Sequence, residues 1–234
     1  MLITADLLTK ILTETVHTKH GPIQRSPVSA GKLKMLEIPI NAMLLEFSID
    51  TNYRIAAFLA NAIIESDHLR TFEEYASGQE YEGRTDLGNT EAGDGKRFKG
   101  RGIIQVTGRS NYQACGDYFS VDFTSAKGRP ELLSSDVGMA LRSGGWFWTV
   151  HIKQNLNTYA DMGPGGFAET VYRVNGAVTA KRTHWPERVK YYERALVTLG
   201  ADDPGEVSSD ISKFHPKHRR KRHGGAHHHG RHKK

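Results

Sequence analysis

Apolar residues recur with a helical period over most of the first 200 positions. In TNYRIAAFLANAIIE (51–65), Ile55, Phe58, Leu59, Ala62 and Ile63 fall on one face of a 3.6-residue repeat. Thr51 stands where an N-cap would accept from the first-turn amides. WPERVKYYERALVTLG (185–200) has the same character, with Val189, Tyr192, Leu196 and Leu199 on one face. Pro186 suits a first helical turn and Gly200 a left-handed stop. The opening MLITADLLTKILTETV reads as an amphipathic helix, because Asp6, Lys10 and Glu14 interrupt its apolar residues. It lacks the basic n-region of a secretory leader, so no signal peptide is expected. No run approaches the roughly 18 apolar residues of a membrane span. The pattern predicts a mainly α domain over residues 1–200.

The helical pattern stops between 78 and 102, where seven glycines fall within 25 residues. A loop of that length inside a compact domain is functional or disordered. The interleaved Tyr81, Arg84, Asp86, Asn89, Asp94, Arg97 and Phe98 favour an ordered, internally bonded loop or small β element, in which Glu82 has a structural part. After Gly200, residues 201–210 (ADDPGEVSSD) have the composition of a linker. Residues 211–234 have almost no apolar side chains and are expected to be a disordered basic tail.

Charge sharpens that division. The chain is +6 overall, yet residues 211–234 hold nine Lys/Arg and no Asp/Glu, leaving residues 1–210 at −3. Seven of the twelve histidines also lie in the tail. Such a tail seeks polyanions, and the partner expected is an anionic envelope, lipopolysaccharide or anionic lipid, rather than a specific nucleic acid. His227-His228-His229 reads as solvated charge, and no metal site is expected. The single Cys115 excludes an intramolecular disulfide, favours a reducing compartment for folding, and reads as a packed core thiol.

The candidate chemistry lies in IIESDHLRTFEEY (63–75). Glycosidic bond cleavage commonly uses two carboxyl groups, one an acid and one a base or nucleophile. Glu65, following Ala62-Ile63-Ile64, has the apolar setting that keeps an acid protonated. Glu74 lies nine residues on, about 900° around an ideal helix and half a turn out of phase. The chain must therefore turn between the two, and Ser66-Asp67-His68 is the place for it. Asp67 is expected to point to solvent. Glu73 rivals Glu74 for the second carboxylate.

YEGRTDLGNTEAGDGKRFKGRGIIQVTGRSNY (81–112), with the upstream ES and EE, resembles glycoside hydrolase family 19, and within it the bacteriophage endolysins and chitinase-like lysozymes. The likeness extends over roughly residues 1–200 and includes RIAAFLA, GWFW at 145–148, RVNG at 173–176 and the closing YYERAL. It implies a lysozyme-like helical fold and inverting hydrolysis of β-1,4-linked glycan without a cofactor. Glu65 matches the family's general acid, Glu74 the base that activates water, and Thr107 the Ser/Thr that helps hold that water. Gln105, Asn111, Asn175 and Tyr81 match substrate-binding positions, and Arg84 and Arg101 charged residues that support the site. Inversion requires the carboxyls to stand roughly 6.5–9.5 Å apart. One departure is Ile64, which occupies a position where the family usually has His; another is Asp67-His68-Leu69 in place of small residues and Phe.

The resemblance implies a monomeric peptidoglycan-degrading endolysin, made in a bacterial host cytoplasm and acting on the wall after release. Chitin is the alternative substrate. A non-catalytic wall- or polyanion-binding protein is the other class left open, although Glu65, Glu74 and Thr107 together argue against it. Trp146, Phe147 and Trp148 fit core packing better than sugar stacking. DLGNTEAGDG lacks calcium-loop spacing, and GDGKRFKG matches no phosphate-binding loop. If the tail is the envelope anchor, deleting residues 211–234 abolishes low-salt binding to anionic vesicles, and salt weakens binding by the intact chain; unchanged binding by the truncated chain contradicts it.

Overall fold

The computed structural model describes residues 2–19, 21–152, 154–176, 183–201 and 207–208. The expected tail and most of the expected linker lie outside them. Among the described residues, no helix is long and apolar enough to cross a membrane.

The fold is mainly α. Helix α1 (Ala5–Leu12) begins at Thr4, whose hydroxyl accepts from the Leu7 amide. The helix ends at Leu12 rather than continuing through Val16. Residues Glu14–Thr18 form strand β1, antiparallel to β2 (Gly21–Arg25), with Val16 opposite Ile23. The β-branched Thr15, Val16 and Thr18 favour a pleated strand over a helix. Arg194 also caps the shortened helix, donating to the carbonyls of Ile11 and Thr13.

Helix α2 (Ala30–Glu46) crosses this end of the domain and leads to α3 (Asn52–Glu65), the central helix. Thr51 caps α3 as the sequence predicts, its hydroxyl accepting from the Arg54 amide at 3.2 Å. From Ile55 to Ile63 every α3 residue is buried, so the helix is enclosed by its neighbours. It packs on α9 (Pro164–Asn175) and most extensively on α10 (Trp185–Leu199). Gly200 ends α10 in the left-handed conformation.

The other elements are α4 (Asp94–Arg97), α5 (Arg109–Phe119), α6 (Leu132–Ser135), α7 (Val137–Trp146), a π-helical turn (Phe147–His151) and α8 (Asn157–Ala160). Gly144 and Gly145 let α7 approach its neighbours closely. A Cβ on Gly145 would lie 2.2 Å from the Phe47 ring, and one on Gly144 2.3 Å from Ile103. Trp146 and Trp148 are buried and serve packing; the Trp148 indole donates to Asn157. Cys115 is buried too, and burial pushes its thiol up to about 12, which makes it unreactive. Val207 and Ser208 lie where composition suggests a linker, yet Val207 is buried and the Ser208 carbonyl accepts from Trp185.

Segment 78–102 is ordered by its own side chains. Glu82 accepts from the amides of Gly93 and Gly95. Asn89 donates to the Tyr81 carbonyl and accepts from the Arg109 amide, and Arg109 pairs with Asp94 and Glu91. The loop is thereby fastened to the start of α5.

Candidate active site

Helix α3 ends at Glu65, and Ser66 turns its hydroxyl back onto the Ala62 carbonyl at 2.6 Å. The next three residues, Asp67, His68 and Leu69, all have positive φ. The chain therefore turns where the spacing of the glutamates required it. Asp67 departs from the expected solvent orientation. Its carboxylate is half-buried and bonded to Arg70, Tyr75 and His68, because the left-handed turn points it back along the chain. Burial would raise the Asp67 carboxyl, but those three bonds and the charge of Arg70 hold it below its ordinary value.

Past the turn, residues 72–74 run beside 100–102. Gly102 donates to the Phe72 carbonyl at 2.9 Å and Glu74 to the Gly100 carbonyl at 3.0 Å. Bridges join Glu73 to Arg101 and Arg101 to Val106, giving a small platform beneath the second carboxylate.

This platform distinguishes Glu73 from Glu74. Glu73 lies among Lys99, Arg101 and the Ser134 hydroxyl. Burial works to raise its carboxyl, but the Lys99 hydrogen bond and the Arg101 charge prevail and hold it low. It is a structural ion-pair member. Glu74 Oε2 accepts from the Tyr81 hydroxyl and the Gly100 amide, each at 3.1 Å, while Oε1 is buried with no partner among the described residues. Burial is the largest influence on Glu74 and raises its carboxyl; the bonds from Tyr81 and Gly100 offset this only partly.

Several expected site residues meet at Gly100. A Cβ there would lie 2.6 Å from Glu74 Oε2, 2.8 Å from Gln105 Oε1 and 3.4 Å from Thr107 Oγ1. The absence of a side chain lets the three converge. Gln105 takes a left-handed backbone and donates to the Gly102 carbonyl; Thr107 donates to the Gln105 carbonyl and keeps its lone pairs free to accept. Asn111 donates its side-chain amide to the Thr107 carbonyl at 2.7 Å. Tyr81, expected to bind substrate, places its hydroxyl on Glu74. Asn175 is the last residue of α9, and no hydrogen bond among the described residues joins it to either carboxylate. Arg84 is partly buried and paired with Asp86, whereas Arg101 is buried and holds the platform.

Glu65 lies across the turn in a separate network, and its partner is a buried cation rather than the apolar setting expected after Ala62-Ile63-Ile64, because α10 brings Arg188 against the end of α3. Arg188, fully buried on α10, donates to Glu65 Oε1, to Asn61 Oδ1 at 2.7 Å and to the Thr183 carbonyl at 2.6 Å. The Asn61 amide in turn reaches Thr170 on α9. Ile64 packs against the apolar core. Sequence reasoning missed Arg188 and Asn61. The available signal was Arg188 four residues before Tyr192, a cation in the apolar stripe of an amphipathic helix. Two cavities, of about 640 and 350 Å³, lie against α5 and beside Lys96 and Pro130; neither is lined by Glu65 or Glu74.

The family model described as chitinase class I matches residues 50–164. A basic endochitinase of Brassica napus is 32% identical over 167 residues, 66% of this chain and 54% of its own length. A glycosyl hydrolase family 19 domain-containing protein of Haemophilus influenzae is 27% identical over 118 residues, 50% of each chain. The chain thus spans about half the length of the curated relatives it matches. Chitinase C from Streptomyces griseus superposes with a TM-score of 0.62 at 20% identity, over 89% of this chain and 96% of that one. The class IV chitinase from Zea mays does so with 0.56 at 22% identity, over 74% and 83%. At these identities the structural likeness speaks for the fold alone.

Removing one partner of a buried ion pair strands the other groups. Arg188→Met is expected to lower unfolding stability by about 3 kcal/mol or more. Glu65→Gln is expected to cost less, about 1–3 kcal/mol, since an amide oxygen still accepts from the guanidinium but the compensating charge is lost. Urea unfolding of both variants checks this, and equal stability of Arg188→Met and wild type contradicts it.

Proposed function

We propose, from the premise that residues 50–164 place this chain in glycoside hydrolase family 19, that it is an endolysin cutting the β-1,4 linkages of peptidoglycan glycan strands. The observation that carries the hydrolase reading is the separate fixing of two carboxyls on either side of one turn. Glu65 is oriented by Arg188 with no hydrogen bond to its Oε2 among the described residues. Glu74 is anchored through Oε2 with Oε1 unpartnered. The two carboxyls answer to different partners, Glu65 to a guanidinium and Glu74 to a phenol and a backbone amide.

Glu65 gives its proton to the glycosidic oxygen as the bond from that oxygen to the anomeric carbon breaks. Glu74 Oε1 takes a proton from water as the water oxygen bonds to the anomeric carbon from the opposite face. Thr107, beside Glu74 at Gly100, accepts from the same water and orients it. The sugar emerges with inverted configuration. Gln105 and Asn111 line the strand, and Asn175 contributes from the end of α9.

Peptidoglycan is supported by the endolysin-like run at 81–112 and by a +9 tail suited to an anionic envelope. Synthesis in a host cytoplasm, with access to the wall after release, goes with that reading. Chitin is the second reading, supported by the chitinase names of the relatives.

Release of new reducing ends from purified peptidoglycan is the test. Wild type is expected to release them and Glu65→Gln to lose about a hundredfold or more; release from chitin alone replaces the substrate, and release from neither overturns the hydrolase reading. A base must be ionised, and burial raises the Glu74 carboxyl above the ordinary 4.5. Activity therefore falls as pH drops through that raised value. The Tyr81 bond opposes the rise, so Tyr81→Phe is expected to move the acidic limb of kcat/KM to higher pH. An unmoved limb with a raised KM returns Tyr81 to substrate binding.

A further inference from the structure

The left-handed turn between the two carboxylates is held from both sides. Its backbone is tied by His68 donating to the Ile63 carbonyl at 2.6 Å and Leu69 to Ser66 Oγ at 3.1 Å. Its side-chain hub is Asp67. One oxygen meets Arg70 at 2.7 Å and His68 at 3.2 Å; the other accepts from the Tyr75 hydroxyl at 2.8 Å. Three successive left-handed L residues persist only where their surroundings fix them.

Tyr75 directly follows Glu74, and Asp67 lies two residues past Glu65. Their hydrogen bond therefore spans from the base-bearing segment to the acid-bearing one. The Glu74 carboxyl turns toward Gly100, whereas the Tyr75 ring turns back toward the end of α3. That ring is 77% exposed although its tip is pinned. An aromatic face in water gains most from an apolar surface laid on it, and a fixed hydroxyl removes much of the ordering cost of binding. Beside it, Arg70 is half-exposed, with donors that can reach a carbonyl or hydroxyl. A flat apolar face flanked by a few oriented polar groups matches the two surfaces of a sugar ring, apolar C–H faces and a polar rim.

We propose that Tyr75, pinned by Asp67, is a stacking subsite for an N-acetylated hexosamine ring beside the point of cleavage. The identity of the sugar rests on the hydrolase reading above; the platform rests on the exposed ring and its anchor. Asp67 acts here through Tyr75 and is a positioning residue.

The experiment is calorimetric binding of the β-1,4 hexamer of N-acetylglucosamine to the full chain carrying Glu65→Gln, alone and with Tyr75→Ala, Tyr75→Phe or Asp67→Asn added. Stacking predicts about a tenfold weaker Kd for Tyr75→Ala. Asp67→Asn, whose amide oxygen can still accept from the hydroxyl, stays within about threefold, and Tyr75→Phe, which keeps the ring but loses the pin, falls between. Equal losses for Tyr75→Phe and Tyr75→Ala overturn the subsite and leave only a tie between two segments. Unchanged affinity in Tyr75→Ala, or no binding by the Glu65→Gln parent, overturns it as well. Thermal unfolding separates a lost subsite from a lost fold. Tyr75-dependent binding with no cleavage by wild type overturns the hydrolase reading and leaves the subsite standing.

Discussion

A guanidinium with no solvent around it must find acceptors, and the packing of α3, α9 and α10 is organised around that requirement. Arg188 is fully buried on the face of α10 that meets α3. An unpaired cation there would cost several kcal/mol. Asn61, the Thr183 carbonyl and Glu65 supply its acceptors, and Asn61 carries the network on to Thr170 in α9. The helices must therefore sit in one register, or the charge is stranded. The same contact fixes Glu65. The orientation of the candidate acid and the alignment of the core are one physical problem with one solution.

The second carboxylate belongs to a different construction. Residues 72–74, 100–102 and 106 make a small extended platform in a helical molecule, and alternation along it sends neighbouring glutamates into unlike surroundings. Glu73 meets cations and is held ionised; Glu74 meets an amide, a phenol and enclosed space. The glycine-rich segment serves this platform. Glu82 and Asn89 fold it so that Tyr81 stands over Glu74, and Gly100 leaves room for Glu74, Gln105 and Thr107 to meet.

Local signals were legible wherever local energetics decide. Thr51 caps α3, Pro186 opens α10 and Gly200 closes it, because capping and left-handed stops depend on a few adjacent residues. The turn between Glu65 and Glu74 was forced by helical phase alone. The ordering of 78–102 was legible in its polar residues. The β1–β2 hairpin was not, since the apolar spacing of α1 continues into it and β-branched residues decide the boundary. Asp67 was misread because its partners, Arg70 and Tyr75, become neighbours only through three left-handed residues that composition does not announce.

The sequence by itself determined the helical class, the ends of its main helices, the place of the turn and the small set of carboxylates from which a site could be built. These follow from interactions among residues within a few positions of one another. Tertiary structure alone decided which glutamate is ion-paired, that Tyr81 meets Glu74, and that Arg188 reaches Glu65 across 123 positions of chain. Those outcomes depend on burial and on the convergence of distant segments. The charge state and orientation of a carboxyl are set by what surrounds it in space, and chain order fixes that only after the core has packed.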